Sequence, residues 1–359
     1  MTDEPLLDIV VAVHTAQRPV ERAVGSALAD TGLPVRVTVV THGIAAESLR
    51  PRLAGISDER LRVIEHHDGI ASPAGPMNAG MLAATARYVT VIGSDDYYEA
   101  GALQAALSRT TEGAEIVILP IRRDSGARVS TPLPRWRRTR RLHPARDRLF
   151  TRTAPLAVVR RELMLADGAP FTEGLSSGED LAISTRLWAG GARIDYDGAA
   201  PAYVIGADAP DRVTAALRSL GDELRAVELV LTDPEVRAYP RAVRRSLAAK
   251  VARVHVIGAV ARRRGAEPTV GERTVLAQLA RELSRFAPGY AAALSRAESG
   301  VIEALAHDLP WIDVVDRDRE RDEGSWRTRV LPTRLIDSLR TDTVLRRFVR
   351  YRLEPGGGR

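Results

Sequence analysis

The chain has no cysteine in 359 residues, which rules out disulfides and any thiolate metal ligand. It has a single lysine, Lys250, so its basic charge is almost all arginine, the bias of a GC-rich genome. No apolar run approaches the length needed to span a bilayer, and the opening Met1-Thr2-Asp3-Glu4 lacks the basic start of a secretory leader. A cytoplasmic location is therefore expected, with contact at the inner face of the cell membrane left open. Internal repeats and long heptad runs are also missing. What is present suffices for a sizeable core: 45% of residues are hydrophobic, and the formal net charge is a modest +6. The expectation is one α/β domain over residues 1–207 and a helical region over 208–359.

Short β-branched runs alternate with helical spacing through the first part of the chain. Asp8–Val13, Val35–Val40, Leu61–Glu65 and Tyr88–Ile92 read as strands, and Pro19–Leu28 and Asn78–Thr85 as helices. This order predicts a Rossmann-like, mostly parallel sheet flanked by helices. No strong G-x-G-x-x-G follows the first strand, so a dinucleotide site is poorly supported. The fourth run stops on Gly93-Ser94-Asp95-Asp96. Open α/β folds place their chemistry beyond the carboxyl ends of their strands, and two adjacent carboxylates there suit a hard divalent cation bridging to a diphosphate. A solvated Asp-Asp turn capping the next helix explains the same pair.

A second acidic pair, Glu179-Asp180, follows Phe171-Thr172-Glu173-Gly174-Leu175 and precedes the amphipathic run from Leu181. Helix capping alone accounts for such a pair, since a helix amino end favours negative charge. His14, His42, His66 and His67 share no common zinc spacing; His14 and His42 are better placed as walls of a ligand pocket. Asp68 could face a nucleotide, and an Asp-Gly turn with Gly69 explains it equally well. Arginines crowd into Arg135-Trp136-Arg137-Arg138-Thr139-Arg140-Arg141. No recognised nucleic-acid-binding motif accompanies them, so nucleic acid is not expected. An anionic ligand, a negatively charged membrane surface or an exposed basic loop all fit.

Beyond residue 208 the spacing turns helical. Val213, Leu217, Leu220, Leu224, Val227 and Leu231 form one stripe, ended by Asp233-Pro234. Val243, Leu247, Val251, Val254 and Gly258 form another, and 271–286 and 290–306 read as further helices. Residues 313–323 are expected as a mixed-charge loop and 331–351 as a final helix. These helices could dimerise the chain or cover a cleft.

The order of these segments resembles the family 2 glycosyltransferases, the inverting family with the GT-A fold. Ile9–His14 with Arg18-Pro19 looks like their first strand and helix. Asn78-Ala79-Gly80 looks like the lead into their aspartate motif, Gly93–Asp96 like the D-x-D-type motif, and Phe171–Asp180 like their F-x-E-G-L … G-E-D stretch. The match spans roughly the first two hundred residues. It implies Mn²⁺ or Mg²⁺ held by Asp95 and Asp96, a nucleotide-diphosphate sugar donor (a UDP-sugar by default) contacted by Val13, His14, His42, Asp68, Asn78 and Asp95, and Asp180 as catalytic base beside Glu179. Glu179 with Arg137, Arg138, Arg140 and Arg141 would form the acceptor side, the acceptor being a cell-envelope glycan or anionic glycopolymer. The stretch after Asp180, through Tyr203–Ile205, loosely resembles bacterial enzymes that decorate wall teichoic acid. Several positions depart from the family pattern: Thr41-His42-Gly43 replaces an aspartate pair, Met77 an arginine, and Gly93 the first aspartate of D-x-D. The competing expectation is a non-catalytic GT-A-like module that binds a polyanion through its arginines.

Overall fold

The computed structural model describes residues 4–30, 32–207, 218–340 and 342–352. The expected helix positions Val213 and Leu217 lie outside them. The chain divides into two compact units. One comprises Met1–Thr131, Arg138–Leu142 and Thr153–Thr214; the other comprises Pro132–Arg137, His143–Arg152 and Ala215–Arg359. Two short pieces of the arginine-rich stretch and the loop after it thus belong to the helical unit, whereas sequence alone suggests one cut near 207.

The first unit is built on strands β1 (Leu7–Val13), β2 (Val35–His42), β3 (Leu61–His66), β4 (Tyr88–Gly93), β5 (Tyr97–Tyr98), β6 (Ile116–Ile118), β7 (Ile121–Arg123), β8 (Arg128–Val129), β9 (Ala157–Arg160), β10 (Ile194–Tyr196) and β11 (Tyr203–Ile205). Seven of them form one sheet in the order β10-β6-β9-β4-β1-β2-β3. All its pairings are parallel except those of β9, which runs antiparallel to both β4 and β6. The central strands β1 and β4 read as near-continuous apolar runs because both their faces are covered: β1 is buried almost throughout, and Val20, Ala23, Val24, Ala27 and Leu28 of the Val20–Leu28 helix join its core. The Ala74–Leu82 helix approaches so closely that a Cβ on Gly80 would stand 2.4 Å from a methyl of Val10.

A buried carboxylate fixes the start of β1. Asp8, fully buried, accepts two bonds of 2.7 Å from Arg36 of β2 and backbone N–H bonds of 2.7 and 2.8 Å from Thr85 and Ala86, just before β4. One side chain therefore sets the level of three neighbouring strands. A smaller four-stranded sheet, β5-β11-β7-β8, lies outside what the strand pattern revealed. Its strands are two or three residues long, too short for periodicity to register.

In the second unit several helices depart from expectation. Trp311–Glu323 is a helix where a mixed-charge loop was expected. Trp311, Val314 and Val315 are buried on one face, and Asp318 is buried with them, held by Arg264 at 2.6 Å and Arg321 at 2.9 Å. Residues 331–351 are not one helix. Leu335–Leu339 is a short 3₁₀ turn, and a separate helix, Val344–Arg352, follows. The 290–306 stretch divides at Ser295, which caps Arg296–Ala306 reciprocally with Glu298.

The stripe through 243–258 also breaks. Arg241–Lys250 passes without interruption into a π-helical turn, Val251–Val256, and on into Ile257–Arg262. The wider turn shifts the phase of the buried face, leaving Val254 46% exposed while Val256, Ile257 and Val260 are buried. Its i→i+5 geometry also brings His255 over Lys250, with Nζ and Nε2 2.9 Å apart. Lys250 is buried, and burial together with the adjacent ammonium holds the His255 pKa well below its ordinary value.

Candidate active site

β1 lies between β2 and β4, and successive strands are laid down to opposite sides of it. That reversal opens a crevice at the carboxyl ends of the strands, where open α/β sheets bind ligands. The register keeps these ends level, with Ala12 opposite both Val40 and Gly93 and Val13 opposite Thr41. A cavity of about 510 Å³ occupies the crevice. Val13, His14, Arg18, His42 and Asp95 are among its walls, and the 69–73 loop, Pro76 and Met77 close another side. Four of the expected donor contacts therefore line it. Asp68 and Asn78 do not.

The acidic pair at the end of β4 is held in two different ways. Asp95 Oδ2 pairs with Arg18 at 3.0 Å, and Arg22 donates to the Asp95 carbonyl. Asp96 turns toward the small sheet: the Tyr203 hydroxyl donates to its Oδ2, and the Gly206 N–H donates to Oδ1 at 2.9 Å. Tyr203 in turn accepts the Gly93 N–H at 2.9 Å. Burial raises the Asp96 pKa above the ordinary aspartate value; the Tyr203 and Gly206 bonds oppose that shift, and the neighbouring Asp95 charge adds to it. A Cβ on Gly93 would lie 2.4 Å from Asp96 Oδ2 and 3.4 Å from Asp95 Oδ1. The two carboxylates thus lie over the same backbone position, and a side chain there would displace that of Asp96. This convergence of hard oxygen donors fits a Mg²⁺ or Mn²⁺ that draws the rest of its shell from water and substrate. Among the described residues no group of three or more His, Cys, Asp or Glu side chains forms a self-sufficient metal cage.

His42 and His66 stand opposite each other on β2 and β3, with their rings 5.8 Å apart. Both reach Asp68, from Nε2 to Oδ1 at 2.7 Å for His42 and to Oδ2 at 3.1 Å for His66. Asp68 also accepts the Ile70 N–H at 2.9 Å, the turn bond expected of an Asp-Gly pair. The His42 bond, then the Ile70 bond, hold the Asp68 carboxyl far below the ordinary aspartate range. Gly75 is required by this cluster, since a Cβ there would meet Asp68 Oδ2 at 2.1 Å. Asp68 therefore orients His42, which faces the cavity, while Gly69 and Ile70 of its own turn form the adjoining wall.

Asn78 serves the second acidic segment. Fully engaged and buried, it donates to the Phe171 carbonyl at 2.9 Å and to Glu173 at 2.8 Å, and accepts the Phe171 N–H at 2.9 Å. It ties the 171–173 loop to the helix that carries Pro76 and Met77 of the cavity wall. The loop closes on itself through Thr172 N–H to the Glu179 carbonyl at 3.0 Å. Asp180 occupies the N-cap position of the Leu181–Ala189 helix, yet its side chain makes no capping bond. Capping thus does not account for the Asp180 carboxylate.

A family model, Glycosyl transferase family 2, matches residues 8–165. The chain carries a family 2 glycosyltransferase domain. The succinoglycan biosynthesis protein ExoO of Rhizobium meliloti is 35% identical over 115 residues, covering 32% of this chain and 32% of that protein. An uncharacterized glycosyltransferase of Mycobacterium tuberculosis is 34% identical over 139 residues, covering 37% of this chain and 59% of that one. The chain thus spans less than two thirds of the length of these relatives. A crystal structure of S. aureus TarS 1-349 in complex with UDP-GlcNAc superposes with a TM-score of 0.74 at 16% identity, covering 89% of this chain and 92% of that one. At that identity the likeness establishes the fold: GT-A, with a helical region following.

Several residues that shape the family 2 site escaped sequence reasoning. Arg18 was visible beside Pro19, but nothing in its spacing shows that it reaches Asp95. Tyr203 lies far along the chain from Asp96, and only the pairing of β11 with β5, next to the acidic pair, joins them. The arginine cluster divides between the two units. Arg135 is clamped to the buried Asp147 by bonds of 2.8 Å, and Arg140 pairs with Glu112 at 2.8 Å. Arg137, Arg138 and Arg141 are exposed; Arg137 belongs to the helical unit and the other two to the first. Among the described residues no helix is long and apolar enough to cross a membrane.

Proposed function

We propose that this protein is an inverting, metal-dependent glycosyltransferase that moves a sugar from a nucleotide-diphosphate donor, a UDP-sugar by preference, to a hydroxyl of a cell-envelope glycan or anionic glycopolymer. The observation that carries the reading is the crevice cavity with Asp95 in its wall and Asp96 crowded beside it over Gly93. Asp95 and Asp96 would hold a Mn²⁺ or Mg²⁺, whose chemistry is to neutralise the departing diphosphate. Arg18, buried in the same wall, places a guanidinium beside that charge and holds Asp95 in position. His42, braced by Asp68, presents a ring to the nucleoside, in keeping with the loss of the aspartate pair usual in the family. Asp180, unused as a cap, would take the proton from the acceptor hydroxyl as that oxygen attacks the anomeric carbon from the face opposite the leaving group. Asn78 positions the loop that leads to it. Glu179 and the exposed Arg138 and Arg141 are candidates for the acceptor side.

ExoO is named for succinoglycan biosynthesis, and TarS was crystallised with UDP-GlcNAc; both names support a carbohydrate acceptor and a UDP-sugar donor here. The first test is a panel of nucleotide sugars scored for thermal stabilisation with Mn²⁺, since a ligand that binds only the folded state must raise its apparent stability. Asp180→Asn should then retain donor binding and lose roughly a hundredfold or more in turnover. Salt-sensitive polyanion binding without any nucleotide-sugar stabilisation would instead identify a non-catalytic module.

A further inference from the structure

The helical unit contains a second cavity, of about 490 Å³, that shares no lining residue with the crevice. Arg146, Arg241, Arg245 and Arg340 converge on it, together with His143 and a single carboxylate, Asp342. That carboxylate is already committed to Arg340, through bonds of 3.1 and 3.0 Å. Arg241 and Arg245 bond only to the Pro288 carbonyl, at 3.3 and 2.8 Å, and no ion pair neutralises Arg146, Arg241 or Arg245 among the described residues. Desolvation, with like charge from Arg241 and Arg340, lowers the Arg245 pKa. Three like charges held around one hollow are unfavourable until an anion enters.

The hollow is built rather than incidental. Asp147, fully buried, accepts backbone N–H bonds from Arg135 at 2.9 Å and His143 at 2.8 Å as well as the Arg135 guanidinium, and so fixes the loop that presents His143 and Arg146. His143 Nδ1 accepts the Ala145 and Arg146 N–H groups at 3.2 and 3.3 Å. The ring proton therefore sits on Nε2, which becomes a donor. Arg241 and Arg245 are one helical turn apart on Arg241–Lys250 and so project from the same face. Guanidinium forks and an imidazole N–H around one hollow match the oxygens of a phosphate group.

We propose that this cavity is a phosphate-binding site, taking a phosphomonoester or phosphodiester group from a ligand other than the nucleotide-sugar donor. Calorimetric titration of the full chain with inorganic phosphate should show saturable binding. The double variant R241Q/R245Q should weaken it about tenfold or more, the scale of losing charge-assisted hydrogen bonds. Arg146 makes no side-chain bond among the described residues, so R146Q should fold as wild type and weaken phosphate severalfold, which keeps the test decisive if the double variant is unstable. Unchanged phosphate affinity in R146Q and in a folded R241Q/R245Q overturns the proposal, as does absence of phosphate binding by the wild type. Glycerol phosphate oligomers and phosphatidylglycerol vesicles, each competed against phosphate, separate a polymer from a lipid headgroup as the source. Competition by neither would leave free phosphate as the ligand. Uridine, which carries no phosphate, titrated in parallel reports on the crevice alone, so a failure of the donor reading shows separately.

Discussion

Asp96 is the residue on which charge and the proposed metal meet. In the metal-free protein its raised pKa means that the folded state holds the proton more tightly than the unfolded chain. Its contribution to stability is thus present at low pH and lost as pH rises through the folded-state value. A dication reverses that preference, because it must displace the proton. Mn²⁺ affinity should therefore climb with pH over a window above the ordinary aspartate value, and Asp96→Asn should abolish both the climb and metal-dependent donor binding, as read by calorimetry across pH. Gly93→Ala should act on the same pair without changing its charge: a methyl 2.4 Å from Asp96 Oδ2 must push that carboxylate aside. Loss of Mn²⁺ affinity with little change in folding is expected, and unchanged Mn²⁺ affinity would show that the metal does not depend on this convergence. The site was partly legible in sequence because its carboxylates sit at strand and helix ends, where local pattern marks them. Tyr203 and Arg18 were not legible as partners, since their roles arise from contacts between elements distant in the chain.

At the scale of elements, Asp8 joins three strands through one carboxylate. Removing it leaves the Arg36 guanidinium without its partner and the Thr85 and Ala86 N–H groups without an acceptor. Asp8→Ala should cost about 3 kcal/mol, the lower end for a broken buried pair because Arg36 keeps some solvent access. A fall in the urea midpoint with an unchanged slope would report it. Strands β1 to β4 could be read from the sequence because each is at least six residues long and rich in β-branched residues, with β1 and β4 buried almost throughout. The antiparallel β9 and the small second sheet could not, because two to four residues carry no period. Two errors among the helices have particular causes. The charges of 313–323 hid a narrow apolar face that begins at Trp311, and the π turn at 251–256 displaced a stripe whose spacing had looked regular.

For the molecule as a whole, a net charge of +6 understates how unevenly arginine is deployed. Arg36, Arg135, Arg253 and Arg264 each serve a buried carboxylate, while Arg137, Arg138 and Arg141 lie open to solvent. Guanidinium tolerates such buried forks better than an ammonium does, which suits a chain that has given up lysine almost entirely. The one lysine ammonium it keeps, on Lys250, is enclosed within a helix beside His255. An amine-acylating reagent can therefore reach that side chain only when the helical unit opens. The extent of acylation on the peptide containing Lys250, followed by mass spectrometry against time, should track opening events rather than surface chemistry. Denaturant should accelerate it steeply, whereas rapid labelling under native conditions would show that the enclosure is open. The sequence thus supplies its own single-site reporter of unfolding, with no engineered tag and no competing lysine to mask the signal.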